Sequence, residues 1–475
     1  MTPSATPVRA DAIFIGTGQA TPALATALAG GGERVVVFEG GMVGGSCVNV
    51  GCTPTKTLRK SARVAHMVAR AGDFGVQVSG VHIDFAAAMQ RVARVVEASR
   101  NGLTRWIDDT TGVTLVREWG AFAGRENDQF VVQGEHTTAV APRVYLNTGT
   151  RPAVPPIPGL ADGPLLTNES IMALTERPRH LVILGGSYIG LEMGQIFRRL
   201  GSDVTILEAG PAVASREDGD VSARIAAFLG DEGVTIHTHS AVERVEWIAE
   251  DGVPHVVVHA RHRTTGEVRH IDASHVLVAT GRLPNTERLR LSTVGVTLDA
   301  QGFIPVNGRL ETNVPGVWAL GDVNRRGAFT HTSYQDHEIV LANQQGGART
   351  ADGRVSTYAM FTDPPLGRVG LSETEAREQS AGGRRFLVAT HEMKNVSRAK
   401  EESETLGVIR LLVDAETHRF AGATLLGIGA DEIVQIIGAM MAADAPYQVL
   451  RDALPVHPTV TEFLPTILGK LTPLT

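Results

Sequence analysis

Cysteine is nearly absent from this chain: two thiols, Cys47 and Cys52, serve 475 residues. So small a supply excludes a disulfide-stapled scaffold, and a four-ligand zinc site lacks the second cysteine pair it usually needs. Long apolar runs are missing too. The first one, Ala12 to Ile15, is too short to cross a membrane and leads straight into a glycine turn. Met1 to Ala10 lacks the basic and apolar regions of a secretory signal. No charge of one sign dominates: the formal net charge is −7, and the basic pairs Arg198-Arg199, Arg325-Arg326 and Arg384-Arg385 are isolated. That balance supplies no field for nucleic acid or an anionic membrane. The expectation is a cytoplasmic protein with no nucleic-acid or membrane partner and no resident metal. With 43% hydrophobic residues the composition is that of a globular protein, and the length calls for two to four domains.

The two thiols that are present stand close together, in Gly44-Gly45-Ser46-Cys47-Val48-Asn49-Val50-Gly51-Cys52-Thr53-Pro54-Thr55-Lys56. Disulfides in a reducing compartment are mostly transient and catalytic, which favours a working redox pair over an inert buried one. Residues i and i+5 of a regular helix lie about 8 to 9 Å apart, whereas a disulfide needs Cα atoms within about 7 Å. Cys47 is therefore expected in a distorted or pre-helical turn, which Gly44, Gly45 and Gly51 permit. Pro54 suits the first turn of a following helix.

An internal repeat surrounds this segment. Ala12-Ile13-Phe14-Ile15 predicts a buried strand, Gly16-Thr17-Gly18-Gln19-Ala20-Thr21 a turn, Pro22 to Ala29 a helix, and Arg34 to Glu39 the next strand. His180 to Leu184, Gly185-Gly186-Ser187-Tyr188-Ile189-Gly190, the helix Leu191 to Leu200 and Asp203 to Glu208 repeat the pattern. The first glycine stands 23 residues before the terminal acid in both copies (39 − 16 and 208 − 185). Two βαβ units of equal length predict two dinucleotide sites. Gly16 and Gly18 let the backbone approach a pyrophosphate at a helix N-terminus, and Glu39 would accept from an adenosine ribose. Thr21 replaces the third glycine of the first motif and is expected to crowd helix against strand; Ser187 replaces the middle glycine of the second. Glu208 favours a free ribose 2′-hydroxyl over a 2′-phosphate, hence NADH over NADPH, and Arg216 reads as a surface arginine. Val144 to Pro152, with Thr148-Gly149, and Val276 to Pro284, with Thr280-Gly281, form a second matching pair. Pro152 to Pro158 marks a boundary. Beyond Ala348, Arg385 to Ala389 and Gly407 to Val413 predict strands, and Asp431 to Ala443 a helix, in a separate α+β domain.

In combination, Gly-Gly-Ser-Cys-x4-Cys-x-Pro-x-Lys, both glycine motifs, Leu320-Gly321-Asp322-Val323 and His457-Pro458-Thr459-x-x-Glu462 resemble the class I pyridine nucleotide–disulfide oxidoreductases. Glutathione reductase, dihydrolipoamide dehydrogenase and mercuric reductase are members. The resemblance covers essentially the whole chain. It implies an α/β fold with two Rossmann-like dinucleotide-binding domains, for FAD and NAD, and a C-terminal α+β dimerisation domain. The divisions it implies are 1–150 and 280–348 for the two parts of the FAD domain, 151–279 for NAD, and 349–475 for dimerisation.

It also implies roles. Cys52 is similar to the thiol nearest the flavin, Cys47 to the one that exchanges with substrate, and Lys56 and Glu192 to the ion pair beside the flavin. Asp322 resembles the ligand of the ribityl chain, and Tyr188 the tyrosine over the nicotinamide pocket of glutathione reductase. Gly16, Gly18, Glu39, Ser46, Lys56, Thr148, Gly149 and Gly281 join Asp322 as expected cofactor contacts. Gly185, Gly186, Ser187, Tyr188, Ile189, Gly190 and Glu208 form the expected nicotinamide-nucleotide set. His457 and Glu462 resemble an acid–base dyad that reaches the disulfide of the other subunit, so the protein is expected to be a homodimer.

The resemblance is uneven. Phe361-Thr362-Asp363-Pro364-Pro365 and Glu462 to Thr466 read closest to mercuric-reductase-like flavoproteins, yet the C-terminal cysteine pair of mercuric reductases is missing. Glu208 disfavours the NADPH-linked glutathione reductases, and Leu454-Pro455-Val456-His457-Pro458 departs from the Cys-His-Ala-His-Pro wording of dihydrolipoamide dehydrogenase. The expected activity is electron transfer from NADH through FAD to the Cys47–Cys52 disulfide, then to a disulfide or related small-molecule oxidant. The alternatives are a diaphorase-like reductase of quinones or of mercuric or cupric ions, and a redox sensor without turnover.

Overall fold

A computed structural model of the chain describes residues 6–250 and 253–474. Its first sheet has five parallel strands in the order Val317–Ala319, Val144–Leu146, Ala12–Ile15, Val35–Phe38, Val113–Val116. The two middle segments are uninterrupted apolar runs and are buried along their whole length, as a parallel strand covered on both faces requires. The helix Ala20–Gly30 packs on one face, where Leu24 and Leu28 meet Phe14 and Tyr145. The other face carries Ile13, Ile15 and Val36 into a second cluster with Phe122 and Phe130.

The second unit repeats this layout with four parallel strands, ordered Val234–His237, Asp203–Leu207, His180–Leu184, His275–Val278. Its helix is Tyr188–Arg199. The two matching Thr-Gly-x-x-Pro segments meet each other. Thr150–Pro152 and Arg282–Pro284 pair antiparallel, with Leu283 opposite Arg151, so the outgoing and returning connections between the units form one two-stranded ribbon.

The C-terminal region is a six-stranded antiparallel sheet containing Phe386–Glu392 and Val408–Asp414, covered by the helix Ala430–Ala442. The strands and helix expected there lie within one to three residues of these bounds. Both helices of the glycine motifs begin earlier than their apolar periodicity predicts, at Ala20 and Tyr188. The residues of the glycine turn already have helical geometry there, and a first helical turn needs no apolar side chain.

Candidate active site

The cysteine segment is two helices with a break between the thiols. Cys47 lies in the short helix Gly45–Asn49 and Cys52 opens the long helix Cys52–Ala69. Gly44 and Gly45 hold φ of +98° and +60°, values that side chains rarely adopt. A Cβ at Gly51 would come within 2.8 Å of the Ser46 carbonyl. The break lets two residues five positions apart share one environment, as the distance argument requires, and Pro54 sits in the first turn after it.

Both cysteines are free thiols, Cys47 half-buried and Cys52 open to a cavity. The Cys52 thiol is pulled down to about 6, chiefly by a hydrogen bond from Cys47, with Thr330 and the Lys56 charge assisting against the protein mass around it. Cys47 is pushed up by the same hydrogen bond and by burial. Thr330 Oγ1 lies 3.2 Å from Cys52 Sγ. Lys56 Nζ donates to Glu192 Oε2 at 2.7 Å and lies 4.4 Å from the centre of the Phe361 ring, while the Phe361 N–H donates to Glu192 Oε1 at 2.8 Å.

A single cavity of about 2540 Å³ joins the thiols to both glycine turns. Cys47, Cys52, Lys56 and Glu192 line it together with Gly16, Gly18, Glu39, Ser46, Thr148, Gly149 and Asp322 of the first unit, and Gly185, Ser187, Tyr188, Ile189, Glu208 and Gly281 of the second. Gly186 and Gly190 are buried behind the second turn rather than on its surface. A Cβ at Gly190 would stand 2.0 Å from the Gly185 carbonyl, so this glycine serves helix–strand packing.

Thr21 corrects an expectation. Rather than crowding the turn, its buried hydroxyl donates to the Gly16 carbonyl at 2.8 Å and contacts Asn147 Oδ1 at 3.2 Å. The side chain is accommodated because its hydroxyl finds acceptors inside the turn. Glu39 accepts from the Thr17 N–H at 2.9 Å and from the Gly41 N–H at 2.8 Å; Glu208 accepts from the N–H groups of Gly186 and Gly210 at 2.7 and 2.6 Å. Arg216 is exposed at the rim of the cavity.

The FAD fit can be tested on the first side. Asn147 Nδ2 donates to the Leu320 carbonyl at 2.7 Å, tying the glycine turn to the Gly321-Asp322 loop. A Cβ at Gly18 would meet Asn147 Oδ1 at 2.4 Å. The Asp322 carboxyl is raised by burial, opposed by Arg282, and Thr150 Oγ1 donates to it at 3.2 Å. Thr148 Oγ1 is buried against the cavity with no partner. Bare backbone, an acceptor and an orphaned hydroxyl along one wall fit a dinucleotide with a polyol chain.

His457 and Glu462 stand apart from this constellation. Their ring and carboxylate pair at 2.8 Å, but neither lines the cavity of its own subunit, and the His457 side chain is 75% exposed. Leu454 and Val456 beside it are 99% and 75% exposed.

Several site residues lay beyond the sequence reading. Asn147, Thr330, Phe361, Tyr358 and Glu217 owe their places to contacts across more than a hundred residues, and a lone Thr, Phe or Glu carries no local signal of them. Asn147 directly precedes Thr148-Gly149 and Phe361 opens the segment Phe361-Thr362-Asp363-Pro364-Pro365; the other three stand in no recognisable motif.

A family model described as pyridine nucleotide-disulphide oxidoreductase matches residues 10–336, and one for the dimerisation domain of such proteins matches 356–467. The probable pyridine nucleotide-disulfide oxidoreductase RclA of Escherichia coli (strain K12) is 35% identical over 465 residues, covering 95% of this chain and 97% of its own. The mercuric reductase of Streptomyces lividans is 34% identical over 454 residues, covering 95% and 93%. Among solved structures, the HOCl-induced flavoprotein disulfide reductase RclA from Escherichia coli matches with a TM-score of 0.86 at 35% identity, covering 97% of this chain and 99% of that one. Its Cu(II) complex matches with a TM-score of 0.86 at 34% identity, with the same coverage.

Proposed function

The chain belongs to the pyridine nucleotide-disulphide oxidoreductase family, and on that premise we propose that it passes electrons from NADH to a small-molecule oxidant through a Cys47–Cys52 disulfide. It is a flavoprotein reductase working with FAD and a pyridine nucleotide. The observation that carries the reading of the thiols is their shared cavity: Cys52, with its lowered pKa, opens into the same space as both glycine turns.

FAD, when bound, would supply the two-electron chemistry between a nicotinamide hydride and the disulfide. Gly16, Gly18, Ser46, Thr148, Gly149 and Asp322 would hold it, with Glu39 at its adenosine ribose. Lys56, fixed by Glu192, keeps a positive charge near Cys52. Reduction of the pair leaves Cys52 as the retained thiolate and Cys47 as the thiol that meets substrate.

With a disulfide substrate, Cys47 gives its proton to His457 and attacks one sulfur, forming a mixed disulfide and expelling a thiolate, which takes that proton back from His457. Cys52 then attacks Cys47, re-forming the Cys47–Cys52 disulfide and expelling the second thiolate, which is protonated from solvent through His457, so two electrons and two protons are delivered. His457, oriented by Glu462, performs this proton traffic in the cavity of a second copy of the chain. Its exposure beside bare apolar residues and the matched dimerisation domain support that arrangement.

Glu208, held by two backbone N–H groups at the ribose end, supports NADH over NADPH. The divisions 1–150, 151–279, 280–348 and 349–475 are retained as the working domain boundaries. None of the described helices is long and apolar enough to cross a membrane, and a supply of reduced nicotinamide favours the cytoplasm.

Quinones and metal ions form a second substrate class. Support comes from the mercuric reductases among the relatives and the Cu(II) complex of the Escherichia coli protein. A panel under NADH with lipoamide, glutathione disulfide, quinones, mercuric ion and cupric ion separates these readings. Steady NADH consumption with one class assigns it, and no turnover with any of them contradicts the enzyme and leaves the redox sensor.

A further inference from the structure

Glu217 is a single buried carboxylate on which three donors converge. Tyr188 Oη donates to its Oε1 at 2.8 Å, Tyr358 Oη donates to the same oxygen at 2.9 Å, and Arg368 Nη1 donates to Oε2 at 3.1 Å. The Glu217 side chain is 0% exposed and that of Arg368 3%. Tyr358 and Arg368 face each other across the antiparallel strands Thr357–Met360 and Leu366–Gly370, so both donors come from one rigid ladder of the C-terminal region. Arg368 is steadied in turn by Glu375 at 3.1 Å.

The carboxylate itself is anchored. Next to it, Asp218 accepts from the N–H groups of Glu373 and Thr374 and from Arg410, and Asp220 accepts from Arg410 at 2.7 Å. The segment Glu217 to Asp220 thus bolts the nicotinamide-nucleotide unit to the C-terminal sheet. Tyr188 lies in the cavity wall on the nucleotide side, its ring 5.6 Å from that of Tyr358, which stacks in turn on Phe329 at 5.6 Å. Burial and the neighbouring carboxylate push the Tyr188 phenol up, so it stays a neutral donor across the working pH range.

We propose that Glu217 is a positioning residue: held by Tyr358 and Arg368, it fixes the Tyr188 ring as the wall against which the nicotinamide of NADH docks. The inference rests on the reading of the second glycine unit as the NADH site. Nothing in the glycine motif or the cysteine segment requires it, because the carboxylate and two of its donors lie outside both.

The test uses the purified, FAD-loaded protein. It compares wild type with Glu217→Gln, Tyr358→Phe and Tyr188→Phe, each also combined with Tyr188→Ala where position 188 is free. Tyr358→Phe deletes one donor without exposing a charge, so it keeps the proposal testable should Glu217→Gln fold poorly. KM for NADH is expected to rise about threefold in Tyr358→Phe and Tyr188→Phe and about tenfold in Glu217→Gln. In Glu217→Gln and Tyr358→Phe the rate at saturating NADH, and reoxidation of dithionite-reduced enzyme by a small aromatic disulfide, should stay within about twofold. In the Tyr188→Ala background the substitutions should no longer change KM. An unchanged KM in the single variants, or an equal rise in that background, overturns the positioning role. A wild-type protein in which NADH produces neither new thiols nor flavin bleaching, yet which reoxidises normally after dithionite, overturns the NADH-site reading and this inference with it.

Discussion

The two glycine turns share a spacing but depart from three glycines in opposite ways. The first keeps Gly18 and has Thr21 in third place; the second has Ser187 in the middle and keeps Gly190. In the first, Gly18 packs so tightly on Asn147 that no side chain fits, and the Thr21 hydroxyl closes the turn from inside. In the second, the helix runs so close to the strand that Gly190 has no room for a Cβ, while Ser187 faces the cavity. The first turn is built for intimate backbone contact and is further tied to the Asp322 loop through Asn147. The second is closed behind and open in front. That difference suits a resident cofactor on one side and an exchanging nucleotide on the other.

The strongest way to break the comparison is one methyl group on each turn. Gly16 and Gly185 have φ of +92° and +108°, and a Cβ on either would lie 2.5 Å from a carbonyl oxygen. Strain of about 1–3 kcal/mol corresponds to losses of up to about a hundredfold. Gly16→Ala should yield colourless protein, measured as FAD per chain. Gly185→Ala should stay yellow but lose reduction by NADH. The same loss in both variants would abolish the distinction.

A tenfold effect is expected from pH. The folded Cys52 thiol, at about 6, lies below its unfolded value near 9. The stabilisation its thiolate provides is therefore fully present above about 9 and fades as pH falls through about 6. Between pH 7 and pH 5 the thiolate fraction of the reduced protein should drop about tenfold, read by thiolate ultraviolet absorbance. A midpoint near 9 would mean that the first unit does nothing to the thiol.

Nucleotide choice should shift by several-fold. Wild type is expected to use NADH with a kcat/KM about tenfold above that for NADPH, and Glu208→Gln should narrow the gap severalfold by removing the charge that repels a 2′-phosphate. A preference for NADPH would reverse the reading of Glu208. The smallest effect belongs to Thr21→Val: loss of one buried hydrogen bond costs about 1 kcal/mol, seen as a lowered Tm with FAD content unchanged.

Legibility in the sequence followed the range of the contacts. Ala12 to Ile15 and His180 to Leu184 were readable residue for residue, because a buried parallel strand is an unbroken apolar run. Helix geometry together with a disulfide placed Cys47 in a distorted or pre-helical turn; the structure instead puts Cys47 in the short helix Gly45–Asn49, with the break after it at Val50 and Gly51. Thr21 was misjudged because a consensus records what is usual, not which hydrogen bonds can replace a glycine. Tyr358 and Arg368 could not be foreseen as partners of Glu217: their convergence is made by a strand register 140 to 150 residues farther along the chain. His457 was readable only as part of His-Pro-Thr with its glutamate, and its place outside the cavity emerges only in three dimensions.

The central claim is that the two lone thiols are the redox pair fed by NADH. It is tested most directly by counting thiols per FAD in the oxidised protein before and after one anaerobic equivalent of NADH. The account predicts zero before and two after, accompanied by a long-wavelength absorption band that Cys52→Ser abolishes. An unchanged thiol count, with the flavin itself bleached, would contradict it.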